Sequence, residues 1–394
     1  MYPKLTLKPG KEKSLLNFHP WIFSGAIASI NREIEEGEVV EVFSSEKKYL
    51  ATAHFHDGSI AARIISFEQR EINSEFWKEK ITKAFSIRQH LGFADDKNTN
   101  GFRLVNAEGD GMPGLIVDVY NRTAVIQAHT ISMHTNAQMF AEIISELFGN
   151  GFSVYDKSAE VLKRKNEPSV DGQNKYLLGE KGNQIISENG LKFFVDWEQG
   201  QKTGFFLDQR DNRNLLMQYA KNKKVLNAFA YSGGFSVYAL QGNAALVHSV
   251  DSSRTAADWA ERNIELNFPN ETRHQFFTED VFDFLKKTEE KYEVMVLDPP
   301  AFAKHQSAVK NAAIAYRNMN AEAMKRIAAQ GILFTFSCSQ HIDKMLFQKI
   351  IFSAAAMTKR NVHVLHQLHQ PADHAFSIYH PEGEYLKGLV LFVE

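Results

Sequence analysis

Five short segments in the C-terminal half of the chain carry residue types that chemistry needs. The first is Asn227-Ala228-Phe229-Ala230-Tyr231-Ser232-Gly233-Gly234-Phe235, which lies between an apolar run and a helical one. Glycines let the backbone approach a cofactor closely, and the N–H groups that open a helix can hold its polar tail. An ordinary strand-to-helix turn would read the same way. Asp251 ends the next run, His248-Ser249-Val250-Asp251-Ser252-Ser253. A carboxylate there can accept both ribose hydroxyls of an adenosine. It can also cap a helix, a role that Ser252 or Ser253 could fill equally. Glu279-Asp280 follows a third run, where one acid could meet an adenine amino group or sit as a solvated cap. Leu297-Asp298-Pro299-Pro300 ends a fourth run. Its prolines stiffen the loop and leave carbonyls without competing N–H donors, so it could face a planar base; the plainer reading is a rigid turn. Phe336-Ser337-Cys338-Ser339 ends a fifth run. A lone cysteine is more often a small buried hydrophobe than a nucleophile, but Cys338 stands between two serines at the same edge as the proline loop.

The elements that must position these residues alternate from about residue 190 onward. Strands are predicted over 224–228, 245–250, 275–278, 293–297 and 332–336, with weaker ones at 362–365 and 389–393. Strand–helix alternation indicates a parallel, doubly wound sheet, whose ligands sit beyond the carboxyl ends of the strands. A glycine turn with acids at three successive strand ends is more specific than any one of these features. A nicotinamide enzyme shares the first two but shows the tighter G-x-G-x-x-G, which is missing here.

Upstream, the apolar runs 39–42, 49–54 and 60–66 are separated by turns such as Glu36-Gly37-Glu38 and His56-Asp57-Gly58, the pattern of a small β-barrel. A helix is predicted over 74–92, strands over 102–105, 115–120 and 125–128, and a second helix over 132–147. The expected domains are 1–71, 72–187 and 188–394.

At 394 residues, two or three domains are the prior. The net charge of −2 argues against a large basic surface, but a local basic patch could still bind RNA. No run approaches a membrane span, the N-terminus lacks the apolar core of a signal peptide, and the single cysteine permits no intramolecular disulfide. A cytoplasmic protein with no membrane partner is expected. The 15 histidines are scattered, with His363, His366 and His369 on or beside a predicted strand, so no metal is expected.

Taken together the segments resemble the bacterial 23S ribosomal RNA large-subunit methyltransferase I family, which makes 5-methylcytosine. His19-Pro20-Trp21-Ile22-Phe23-Ser24-Gly25 is similar to that family's N-terminal PUA domain. Arg103-Leu104-Val105-Asn106 through Gly109-Asp110-Gly111-Met112-Pro113-Gly114 is similar to its central domain. Lys202-Thr203-Gly204-Phe205-Phe206-Leu207-Asp208-Gln209-Arg210 looks like its signature before the catalytic domain. The five segments above follow in the expected order. Pro371-Ala372-Asp373-His374 and Pro381-Glu382-Gly383-Glu384-Tyr385-Leu386-Lys387-Gly388 match its C-terminal loop.

The resemblance implies an α/β protein: a Rossmann-like class I S-adenosyl-L-methionine (SAM) methyltransferase domain, an N-terminal PUA β-barrel and a small central α+β domain. It implies SAM as cofactor, held by Asn227, Phe229, Gly233, Asp251 and Asp280, with Phe206 and Asp208 nearby. Asp298 and Pro299 would hold the target cytosine of 23S ribosomal RNA, with Asp298 also in the catalytic centre, and Cys338 would be the nucleophile. Cytosine C5 is too weak a nucleophile to take a methyl group directly; a thiolate adding at C6 makes it enamine-like.

One departure matters. Several other RNA cytosine-5 methyltransferases carry a second cysteine in the proline loop to assist product release, and here that position is Ala301. Relatives with the same loop methylate guanine N2 and need no thiol, so that reading stays open, as does a non-catalytic RNA-binding protein. The group that lowers the thiol pKa, the base that removes the C5 proton, and a homodimer are likewise left open.

Overall fold

The computed structural model describes residues 2–94, 96–149, 151–163, 173–303 and 305–394. They form two compact units. One holds residues 1–187, 195–205 and 372–383; the other holds 188–194, 206–371 and 384–394. Among the described residues no helix is long and apolar enough to cross a membrane.

The first unit opens with a six-stranded sheet in the order Trp21–Phe23, Ile60–Ser66, Tyr49–Phe55, Val39–Phe43, Lys4–Leu7, Ile27–Ile30. All neighbours are antiparallel except Lys4–Leu7 with Val39–Phe43. Leu5, Leu7, Ile22, Val40, Val42, Ala53 and Ile64 form its core. The strands at 4–7, 21–23 and 27–30 were not predicted, because three or four residues are too few for alternation to register. A five-stranded sheet follows, in the order Lys175–Leu178, Ser153–Asp156, Thr123–Ala128, Leu115–Tyr120, Gly101–Asn106. Helices Ser74–His90 and Ala137–Phe148 supply Phe76, Trp77, Ile81, Phe140 and Ile144 to its core. The helix predicted over 132–147 is broken at Asn136 into Ile131–Thr135 and Ala137–Phe148.

Charged residues of the Arg103-to-Gly114 segment are spent on this scaffold. Arg88 grips Asp110 through two hydrogen bonds of 2.5 and 2.9 Å, and Arg103 grips Asp118 at 2.8 and 2.9 Å. Bidentate pairs of this kind fix geometry as well as energy.

The second unit is built on a seven-stranded sheet. In chain order its strands are Lys224–Ala228, Leu246–Asp251, His274–Thr278, Tyr292–Leu297, Ile327–Ser337, Val362–Leu368 and Lys387–Val393. Spatially they run third, second, first, fourth, fifth, seventh, sixth. The first five are parallel, as predicted, but the seventh lies antiparallel between the fifth and sixth. The connection from the sixth strand carries two short 3-10 turns, Ala372–His374 and Pro381–Gly383, and the seventh strand runs back beside the sixth as its antiparallel neighbour. Leu226, Val250, Met295, Leu297, Leu333 and Leu391 carry the sheet's share of the core.

One buried side chain makes the first unit acid-sensitive. His54 stacks on Trp77 with ring centroids 5.8 Å apart, and burial, helped by the neighbouring His56, pushes it down to about 3. The unfolded chain takes up that proton near pH 6.5, so stability from His54 is whole above pH 6.5 and falls as pH drops below it. Between pH 6.5 and 5 the expected loss is about 2 kcal/mol. Chemical denaturation of the parent and His54→Gln across that range should give a shallower slope for the variant; equal slopes would contradict this.

Candidate active site

The predicted residues at the ends of the parallel strands fall along one edge of the second unit's sheet. Asn227, buried near the end of the first strand, begins a chain of polar contacts. Its Nδ2 donates to Ser236 Oγ at 2.9 Å, Ser236 Oγ bonds Ser249 Oγ at 2.7 Å, and Ser249 Oγ bonds His274 Nε2 at 2.8 Å. Burial pushes His274 down to about 4, so its ring stays neutral and one nitrogen can serve the chain. The network orients the Asn227 amide and leaves Oδ1 buried with no hydrogen-bond partner among the described residues. An unmet buried acceptor costs about 1–3 kcal/mol, which a ligand's donor would recover.

The turn after Asn227 is strained. Phe229 and Tyr231 adopt φ of 61° and 45°, in the left-handed region where non-glycine residues are uncommon. Gly233 has φ of 75°, and a Cβ there would stand 2.9 Å from that of Ala260, so the glycine is required by backbone and packing together. Asp251 fastens the turn: Oδ2 accepts the Tyr231 N–H and Oδ1 the Ser253 N–H, both at 3.0 Å. Tyr231 in turn meets Phe206 edge-on at 5.2 Å.

Phe206 and Asp208 belong to a stretch anchored from behind. Arg213 donates to the Phe206 carbonyl at 2.9 Å and pairs with the fully buried Glu188 at 2.8 and 2.7 Å. Tyr385 donates its hydroxyl to Asp208 Oδ2 at 2.8 Å. Phe206, Asn227, Phe229, Gly233 and Asp251 are thus tied into one turn region, with Asp208 beside it. Asp280 is exposed and caps helix Val281–Lys287, accepting the Asp283 N–H at 3.1 Å, while Glu279 pairs with Lys287.

An aromatic path leads from that turn to the proline loop: Phe229 to Phe282 and Phe282 to Phe302, each at 6.4 Å, then Phe302 to Tyr316 at 4.6 Å. Tyr316 bonds Ser339 Oγ at 3.1 Å, and Ser339 Oγ also accepts the Ala303 N–H at 3.2 Å. These contacts lock the loop after Pro300 to the end of the fifth strand. Cys338 Sγ lies 3.9 Å from the Pro299 carbonyl oxygen, and both Cys338 and Asp298 are half-buried. Among the described residues no group of three or more His, Cys, Asp or Glu could hold a metal ion.

The chain is similar to two families of known proteins. Residues 5–67 match the PUA-like domain family, and residues 153–382 match the S-adenosylmethionine-dependent methyltransferase family. The ribosomal RNA large subunit methyltransferase I of Vibrio campbellii is 40% identical over 98% of both chains. Those of Aeromonas salmonicida and Yersinia pseudotuberculosis are 38% and 37% identical over the same share. The chain belongs to the ribosomal RNA large subunit methyltransferase I family. A solved chain described as a candidate SAM-dependent methyltransferase from Streptococcus mutans shares the fold at a TM-score of 0.86 and 24% identity, over 99% of this chain and 100% of that one. A second structure, with the same score, identity and coverage, is a methyltransferase complexed with SAH.

As a member of this family the chain uses SAM. The residues present suit that cofactor: a buried, unmet acceptor on Asn227, a carboxylate at the end of the second strand, and a glycine-bearing turn lined by Phe206, Phe229 and Tyr231. Tyr231, Tyr316, Tyr385 and Lys387 were given no role from the sequence. Each acts on a residue far away in the chain, and no local spacing marks them.

The Asp251 contacts make its role separable. Asp251→Asn keeps an oxygen for the Tyr231 N–H but loses the charge, whereas Asp251→Ala loses both. SAM affinity by calorimetry should fall about 10- to 100-fold for the alanine variant and less for asparagine. Unchanged affinity in both would remove Asp251 from the cofactor site.

Proposed function

We propose that this chain methylates C5 of a cytosine in 23S ribosomal RNA, in the cytoplasm, through a covalent adduct between Cys338 and C6 of the base. The observation that carries the reading is the placement of the chain's single thiol 3.9 Å from the Pro299 carbonyl, beside a rigid loop suited to a planar base.

Bound SAM supplies an electrophilic methyl group; the protein's task is to make C5 reactive and hold it still. Asp298 and the Pro299 carbonyl would engage the polar edge of the cytosine, with no N–H of Pro299 or Pro300 to compete. The Cys338 thiolate adds to C6, forming a C–S bond and moving the C5–C6 electron pair onto C5, which can then take a methyl group. A general base takes the C5 proton, that electron pair re-forms the C5–C6 double bond, and the C6–S bond breaks to release the thiolate. Cys338 begins and ends the cycle as the same thiolate. Asn227, Asp251, Phe206, Phe229 and Gly233 would form the cofactor's pocket, with Asp208 and Asp280 at its margin.

RNA docking falls to the PUA-like barrel, whose partners are scaffold residues. Trp21 Nε1 and Arg63 Nη1 both donate to Glu108 Oε1 at 2.8 Å, and His54 covers Trp77. Phosphate and base contacts made by such a barrel position a substrate without reacting with it.

Cys338→Ala should abolish turnover while retaining SAM binding. RNA carrying 5-fluorocytosine should trap the parent as a covalent adduct on Cys338, because fluorine cannot leave as a proton does. Near-parental activity of the variant, with no adduct in the parent, would instead favour methylation of an exocyclic amine such as guanine N2, which needs no thiol.

A further inference from the structure

A nucleophilic thiol needs a nearby positive charge, since at its ordinary pKa of about 8.5 little thiolate exists at neutral pH. Among the described residues of the second unit, one lysine is buried without a carboxylate partner. Lys387 is 4% exposed, and among the described residues no acidic side chain comes within ion-pair distance of it. It opens the seventh strand directly opposite Ser337, the residue before Cys338. Its ammonium donates to the carbonyl of Ser339, the residue after Cys338, at 2.7 Å, and to that of Tyr385 at 2.6 Å. The lysine therefore brackets the cysteine along the backbone. An ammonium has three donors, and these two bonds leave one more.

A buried lysine is costly unless something compensates its charge. Burial pushes Lys387 down to about 8, while the Cys338 sulfur, then Glu384 and Asp343, pull it back up. Glu384 is engaged by Lys344, which limits its hold on Lys387. From the neighbouring helix, Tyr316 faces the same sulfur; burial raises its hydroxyl above the ordinary value, so it remains a neutral phenol. Asp298, half-buried, precedes Pro299 on the proline loop whose carbonyl the thiol meets. Lys387 is thus, among the described residues, a cation placed to balance a negative sulfur.

We propose that Lys387 is the positioning residue for Cys338: its buried ammonium holds the sulfur as the thiolate that attacks the base and receives it again on expulsion. This rests on the reading of Cys338 as nucleophile, but it makes a claim about the thiol that needs neither RNA nor SAM.

The test is the pH dependence of iodoacetamide alkylation of the full-length protein, unambiguous because the chain has one cysteine. The parent's midpoint should lie clearly below the ordinary thiol value. Lys387→Met should move it up by about one unit or more, and Lys387→Arg should largely restore it. Thermal unfolding and SAM binding of the variants check that they fold. A parent midpoint at or above about 8.5 overturns the proposal without any variant. So does a Lys387→Met profile that coincides with the parent's. If the midpoint does not move but the fluorocytosine adduct forms, Lys387 falls and the cytosine mechanism stands. If the midpoint moves but Cys338→Ala stays active, the electrostatic pairing stands and the nucleophile reading falls.

Discussion

A chain of hydrogen bonds from Asn227 through Ser236 and Ser249 to His274 runs inside the catalytic unit, joining the first three strands of its sheet and the helix after the first. Polar side chains in such a place are tolerated only when each meets a partner, so every member constrains its neighbours. The chain ends in a neutral histidine at one side and in an unmet Asn227 oxygen at the other. That asymmetry places an unmet acceptor of the network near the carboxyl end of the first strand, where the strained Phe229–Tyr231 turn and Asp251 also converge. The strain of this turn is held by packing such as Gly233 against Ala260.

The same edge explains why the thiol sits where it does. The fourth and fifth strands are parallel neighbours, so the proline loop and the Cys338 turn emerge side by side. Tyr316 and Ser339 then pin the two together. The antiparallel seventh strand brings Lys387 to the same place from the opposite direction, which a wholly parallel sheet could not do. The Phe229–Tyr231 turn, the proline loop, the thiol and the buried lysine thus depend on strand order more than on any local motif.

Much of this was legible in the sequence, and the rest fails for identifiable reasons. Long apolar runs such as 115–120 and 224–228 announced their strands because both ends are marked by turn residues. The strands at 4–7, 21–23 and 27–30 are too short to show a period. Asn227, Asp251 and Cys338 stood out because each ends a strand in a chain that alternates with helices. Asp280 was open between a ligand and a cap, and the structure shows the cap bond to Asp283. Lys387 lay inside a recognised segment, yet its contact with the Cys338 turn joins positions 48 residues apart, across an antiparallel pairing that periodicity does not predict.

The chemistry turns on which base receives the methyl group, and the ribosomal RNA itself records the answer. Nucleoside mass spectrometry of 23S RNA from cells with and without the gene, followed by fragment mapping, reads both base and position. Loss of a single 5-methylcytidine on deletion, restored by the parent chain but not by Cys338→Ala, is the predicted result. Unchanged 5-methylcytidine with loss of an N2-methylguanosine would contradict the cytosine mechanism.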